Sequence, residues 1–274
     1  MEEAAGFYHD ELRSEDQRTK LKVRSLVGLL PLVGAALLRG EPALEGVRRR
    51  LLELAQRYPS LREQWAGPVE RTGPDGRSAP TWLLSLVPRA RLERLLSAML
   101  DETEFLSPYG IRSLSRVHLE QPCVVDLAGQ RFEVRYLPGE SDSWMFGGNS
   151  NWRGPIWMPA NAMLVEALYN YGQFYGDDLQ VELPTGSGRR VNLVTAAYEL
   201  IERLLGIFRP DVSGRRPCHG EERRYAEDPS WKDLILFNEY FHGDTGRGCG
   251  ASHQTGWTAL VAVLAHELAR SRRG

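Results

Sequence analysis

One carboxylate sits among aromatic side chains in Phe237-Asn238-Glu239-Tyr240-Phe241. A glycine-rich loop follows, then the polar pair His253-Gln254, then Trp257 at the head of an apolar run. An acid in this company suits a sugar pocket, because aromatic faces stack on pyranose rings while polar groups fix hydroxyls. The same pattern also describes a core helix behind a Gly-rich loop. This stretch alone divides evenly between the two readings.

A second stretch shifts the balance. Gly147-Gly148-Asn149-Ser150-Asn151-Trp152-Arg153-Gly154-Pro155-Ile156-Trp157-Met158-Pro159-Ala160-Asn161 reads as an irregular loop entering a helix. Large aromatics on a Gly- and Pro-bearing loop are poor core material and good ligand-facing material. Together the two stretches resemble glycoside hydrolase family 63, the inverting α-glucosidases, and the mannosylglycerate-hydrolase-like enzymes allied to it. The matching residues are Asn151 to Trp157 with Asn161, then Glu239-Tyr240-Phe241, Thr245-Gly246 and Gly256-Trp257. Tyr109-Gly110 with Arg112-Ser113-Leu114-Ser115 also fits, and the likeness runs from about Gly6 to Leu268.

That resemblance implies an (α/α)6 barrel and a carbohydrate substrate; the sequence points to no cofactor and no catalytic metal, and leaves a structural divalent ion open. It puts Glu239 at the general-base position of an inverting enzyme, in which one carboxyl protonates the leaving oxygen and the other activates water. The aromatic neighbours agree, since they partly desolvate the acid. A plain reading of Glu239 is a helix-end acid paired with an arginine. Trp152, Trp157, Phe241 and Trp257 are expected as ring-stacking walls, with Tyr240 beside the base. Arg153 is expected to hold hydroxyls or orient a carboxylate, and Asn149, Asn151, Asn161, His253 and Gln254 to meet hydroxyls. In the family the general acid is an Asp upstream of the Gly-Phe-Tyr segment that here begins at Gly6. No match to that motif occurs in this chain; Asp10, Asp101 and Asp142 are acids outside it. The expectation is one domain over residues 1–274, a C-terminal portion of a longer barrel, with the missing half or self-association covering its open faces. A non-catalytic carbohydrate-binding scaffold and a toroid of another activity are the competing readings.

Composition narrows the rest. The 274 residues carry a net charge of -2, with 42% hydrophobic and 26% charged residues, so nothing draws the chain to nucleic acid or acidic membranes. Arg48-Arg49-Arg50 and Arg270-Ser271-Arg272-Arg273 read as solvated faces. No signal-peptide pattern opens the sequence and the longest apolar run, Leu26 to Leu38, is too short to span a bilayer. The expected location is the cytoplasm, where Cys123, Cys218 and Cys249 stay reduced. Their spacing is not that of a zinc site. Asp177-Asp178 reads as a solvated turn. Pro184-Thr185-Gly186-Ser187-Gly188-Arg189 lacks the ending of a phosphate loop.

The elements that must position these residues read as mostly helical. The pattern predicts an opening loop over 1–20, with Gly6-Phe7-Tyr8-His9-Asp10 either lining a pocket or tucked away. A helix buried on both sides is expected over Leu26–Leu38, capped by Ser25, and an amphipathic helix over Ala43–Tyr58 after Pro42. Residues 66–80 read as an exposed loop and Arg89–Leu100 as a helix. A single hairpin, about 121–137, turns at Ala128-Gly129-Gln130. Helices follow over Ala160–Tyr175, Val191–Phe208, Trp231–Phe237 and Gly256–Arg270, with 211–229 a polar loop.

Overall fold

The structure, a computed structural model, describes residues 6–13, 18–40, 45–73, 76–127, 129–144 and 150–272. Asn149, the Pro42–Leu44 helix start, the Ala128 turn residue, Arg273 and the first five residues lie outside them.

Helix α3, Met158–Tyr175, is the axis of the molecule. Pro159 fits its first turn, where a missing N–H costs nothing. Leu164, Leu168, Tyr171 and Tyr175 fall at helical spacing and are all buried. Gly176, at φ 56°, ends it. Helix α4, Leu193–Gly206, starts where the Asn192 side chain accepts from the Thr195 N–H at 2.9 Å. The two helices touch at Gly172, where a Cβ would lie 2.6 Å from the Val194 nitrogen. Helix α7, Leu260–Ser271, packs on both, after the single turn α6, Thr255–Thr258.

The opposite side of α3 meets an antiparallel sheet of order β3-β5-β4, formed by Ala35–Arg39, Ser78–Ser85 and Trp65–Thr72. Alternate residues of β5 turn inward, so Thr81, Leu83 and Ser85 are buried. Ser85 shares a 2.6 Å hydrogen bond with the Tyr171 hydroxyl, tying sheet to helix. Helix α1, Glu45–Arg57, precedes β4, and α2, Arg89–Met99, follows β5 with Leu92, Leu95, Leu96 and Met99 on its inner stripe.

Small hairpins complete the chain. They are β1–β2 (Asp10–Arg13, Arg18–Leu21), β6–β7 (Leu106–Ser107, Gly110–Ile111), β8–β9 (Cys123–Leu127, Gln130–Val134), β10–β11 (Gln180–Glu182, Arg190–Asn192) and β12–β13 (Tyr240–Phe241, Gly248–Cys249). The short helix α5, Arg224–Glu227, interrupts the polar loop.

Five expectations are corrected. Residues 26–38 form two 3-10 turns and then β3, because Pro31 and Gly34 break the pattern and the last residues pair with β5; Ser25 makes no side-chain cap. Residues 66–80 belong largely to the β4–β5 hairpin, whose bulge between Ala66 and Val69 absorbs Gly67-Pro68. Residues 231–233 form a turn and 234–237 are irregular, and the opening loop contains a hairpin with Phe7 buried against Phe105. Helix makes up 39% and strand 23% of the structure, so the 123–134 hairpin is one of several sheets in a mixed, mainly α fold. No helix among the described residues is long and apolar enough to cross a membrane.

Candidate functional site

Ile156 joins the two chemistry-bearing stretches. Its backbone pairs with Phe241 through two hydrogen bonds, of 2.8 and 3.0 Å, and bridges Arg112 on its other side. Three distant segments therefore meet in a short irregular ribbon. Each group there is placed by a buried polar side chain whose partners are mostly main chain.

Asn161, fully buried on α3, accepts from the Ile111 N–H at 2.7 Å and donates to the Ile111 and Trp157 carbonyls at 3.0 Å. Its amide is spent on fixing β7. Asn151, also fully buried, donates to the Leu137 and Gly139 carbonyls at 2.8 Å, while its oxygen accepts from the Arg153 N–H and Nε. Arg153 reaches on to Ser141 and to Asp142, at 2.7 Å. A hydrogen bond from Arg135, and next the one from Arg153, hold the Asp142 carboxyl below the usual carboxylate range. Arg112 donates to Asp244 at 2.9 Å, to Tyr136 and to the Leu106 carbonyl, and Tyr136 donates to the same Asp244 oxygen at 2.9 Å. Burial, first of all, raises the Tyr136 phenol well above its ordinary value.

These bonds lay residues 136–142 across both stretches as a strap. The Gly243 N–H donates to the Pro138 carbonyl at 2.8 Å, and the Leu137 N–H to the Arg153 carbonyl at 2.6 Å. Gly243 must be glycine, because a Cβ would lie 2.4 Å from the Gly154 carbonyl oxygen.

Glu239 lies at this junction, half-buried. One carboxylate oxygen accepts from the Ala251 N–H at 3.1 Å and the other from the Ser150 hydroxyl at 3.3 Å. The arginine pair of the plain reading is not among its described bonds. Beside it an aromatic stack runs from Trp152 to Trp157, parallel within 2° at 4.0 Å, then to Tyr240 at 4.8 Å, with Trp257 tilted at 5.4 Å. Trp157, Tyr240 and Phe241 are closed off inside, and Trp157 donates its indole N–H to the Asn151 carbonyl. Trp152 is half-buried and Trp257 is 39% exposed. His253 is exposed and stacks on Phe237 at 5.9 Å; Gln254 heads α6. Thus the sequence-named residues divide. Glu239, Trp152, Trp257, His253 and Gln254 reach the surface, whereas Arg153, Trp157, Asn161, Tyr240 and Phe241 support it from below.

Sequence reading missed the strap, with Tyr136 and Glu140, and the roles of Ser150 and Asp244. Only the polar turn Gly139-Glu140-Ser141-Asp142 hints at it, and it has no periodicity to exploit. A cleft of about 750 Å3 is lined by Tyr109, Arg216, His242, Thr245 and Arg247, among others. No group of three His, Cys, Asp or Glu residues suited to a metal ion occurs among the described residues. Burial pushes the Cys218 and Cys249 thiols up to about 11, so neither is a ready nucleophile.

The junction thus sets a carboxylate, oriented by an amide and a hydroxyl, beside a stack of tryptophans. Residues 77–258 match the mannosylglycerate hydrolase MGH1-like glycoside hydrolase domain, and the chain belongs to that family. It is a glycoside hydrolase family 63-like domain. It is 47% identical over 266 residues, 95% of its length, to an uncharacterized Saccharomyces cerevisiae protein, YMR196W, of which it covers 24%. It is 27% identical over 188 residues to a probable mannosyl-oligosaccharide glucosidase of Schizosaccharomyces pombe, covering 68% of this chain and 17% of that one. The mannosyl-oligosaccharide glucosidase of Saccharomyces cerevisiae is likewise 27% identical over 188 residues, covering 66% and 16%. The chain therefore spans about a quarter or less of each of these relatives' length. No solved structure matches it.

Proposed function

We propose that this domain contributes the base side of an inverting α-glycosidase that acts on an α-glucosyl or α-mannosyl linkage. The observation that carries this reading is the Glu239 carboxylate, half-buried at the junction of the two family-matching stretches and aimed by Ala251 and Ser150. In the proposed step Glu239 takes a proton from water as the water oxygen bonds to the anomeric carbon. The glycosidic bond breaks, and the leaving oxygen departs with the electron pair and receives a proton from a general acid. Trp152 and Trp257 offer faces to sugar rings, and His253 and Gln254 offer hydrogen bonds.

The general acid comes, in this reading, from polypeptide outside this chain, as does the remainder of an (α/α)6 barrel built on α3, α4 and α7. An open apolar groove supports the second part. Met163, Tyr169, Tyr198, Val263 and Leu264 line about 480 Å3 of it between those helices, a face that further helices would cover.

An α-glycosyl fluoride needs no protonation of its leaving group, so the chain alone should turn it over while leaving alkyl α-glycosides intact. Glu239→Gln should lower fluoride release by roughly a hundred- to ten-thousand-fold. Fluoride release unchanged in that variant would remove Glu239 from the mechanism. Brisk hydrolysis of an alkyl glycoside would show that the chain carries its own acid. Sugar binding with no turnover of either substrate would favour a carbohydrate-binding scaffold.

A further inference from the structure

The tip of the strap carries a carboxylate with no part in the step above. Both oxygens of Glu140 lie within reach of the Gly250 N–H, at 3.2 and 3.3 Å, and one accepts from the Tyr240 hydroxyl at 3.1 Å. The next amide along, that of Ala251, is the one that holds Glu239. Two carboxylates thus sit on consecutive backbone N–H groups of one turn. The turn is tight. Gly250 has φ +68°, and a Cβ there would lie 2.6 Å from the Tyr240 ring and 2.7 Å from a Glu239 oxygen. The Glu239 N–H also donates to the Ala251 carbonyl at 2.9 Å, so any movement of the turn is felt at both ends of Glu239.

We propose that Glu140 is a positioning residue for Glu239: by holding the Gly250 amide and the Tyr240 hydroxyl it fixes the turn whose next amide orients the Glu239 carboxylate. The kinetic part of this inference rests on Glu239 being the base; the geometric part does not. An amide aims a carboxylate only as well as its own peptide is held. Glu140 holds the peptide between Cys249 and Gly250 and Glu239 the next one, between Gly250 and Ala251, so the two held peptides are joined only through the Gly250 Cα. Glu140 is itself exposed, and its place comes from the strap: Asn151 binds the Gly139 carbonyl and Arg153 binds Asp142, one residue before and two residues after it. The charged and titratable groups facing Glu140 are Tyr240 and Cys249, with Glu239 beside Tyr240 and Arg247 beside Cys249. Asp142, Arg135 and Arg153 lie along the strap.

The test uses the whole chain labelled with nitrogen-15, comparing wild type, Glu140→Gln, Glu140→Ala and Glu239→Gln. In wild type the Gly250 amide resonance should move as carboxylates protonate on acidification. In Glu140→Gln that movement should largely vanish, and the Ala251 resonance at neutral pH should shift toward its place in Glu239→Gln. With α-glycosyl fluoride, Glu140→Gln should lower kcat about ten- to a hundred-fold and leave KM and the melting temperature unchanged. An Ala251 resonance that stays in place in both Glu140 variants overturns the proposal. So does a kcat loss matched by a loss of melting temperature. If fluoride turnover ignores Glu239→Gln, the base assignment fails, and the Ala251 resonance still decides whether Glu140 orients the Glu239 carboxylate.

Discussion

The junction around Ile156 and the helical layer of α3, α4 and α7 are both buried, yet they are built from different materials. In the helical layer the inward side chains are Leu164, Leu168, Leu200, Ile201, Leu204 and Leu264. Any well-shaped aliphatic set would serve there, because apolar packing is non-directional. At the junction the buried set includes Arg112, Asn151, Arg153 and Asn161, and all four bond to main chain or to a carboxylate. Such bonds add little net stability each, but leaving one unmade is expensive. The helical layer therefore sets how firmly the domain folds, and the junction sets where its loops lie.

Breaking each region in turn should separate these roles. Leu168→Ala, in the helical layer, should cost about 2–5 kcal/mol of unfolding free energy. Its Gly250 and Ala251 amide resonances should stay where they were. Displaced loop resonances would show that the two regions are mechanically one. Arg112→Met should cost less, about 2–3 kcal/mol, since breaking a buried pair costs about 3–5 and Asp244 keeps 35% of its side chain exposed. Here the resonances of Tyr136, Gly243 and Asp244 should move most. Chemical denaturation followed by two-dimensional NMR checks both variants.

Acid sharpens the comparison. The His242 ring accepts N–H groups from Asp244 and Thr245, and the His118 ring accepts one from Arg24. Each accepting nitrogen must be unprotonated, and burial, the largest cause, lowers both pKa values. A folded value below the unfolded one, about 6.5, gives stability that is fully present above that pH and lost as pH falls through the folded value. Melting temperature should drop as pH is lowered from 7 through the range below 6.5. His242→Asn, which keeps an acceptor that cannot titrate in this range, should flatten part of that drop. An equal drop in the variant would clear His242 of the effect. The smallest change is expected from Val263→Ser, which is 57% exposed in the groove. It should alter stability by less than about 0.5 kcal/mol and reduce any self-association seen by sedimentation.

What the sequence disclosed follows the same division. Helices α2, α3 and α4 were legible because aliphatic residues recur at steps of three and four. That the Trp152 to Trp157 run and the Glu239 segment meet was legible from their shared aromatic and glycine content, but that Trp157 and Phe241 serve as buried packing was not. The β3 strand was not, since Ala35-Ala36-Leu37-Leu38 reads as helix until β5 claims it. The β4–β5 hairpin was hidden behind glycines and prolines that mark loops in most settings. The strap was illegible in principle. Its C-terminal partners, Tyr240, Gly243, Asp244 and Gly250, lie about a hundred residues away, and local pattern has no knowledge of them.

That separation has a consequence for how the domain is made. Glu140 meets Tyr240 and Gly250 across 100 and 110 residues of chain. At about 5–20 residues per second, ribosomal synthesis leaves the strap waiting roughly 5–20 seconds for the segment that completes it. During that interval Asn151 and Arg153 already belong to a half-built junction, and Trp152 and Trp157 have no Tyr240 or Trp257 to cover them. The nascent domain thus leaves a tryptophan-rich patch uncovered until its C-terminal region emerges.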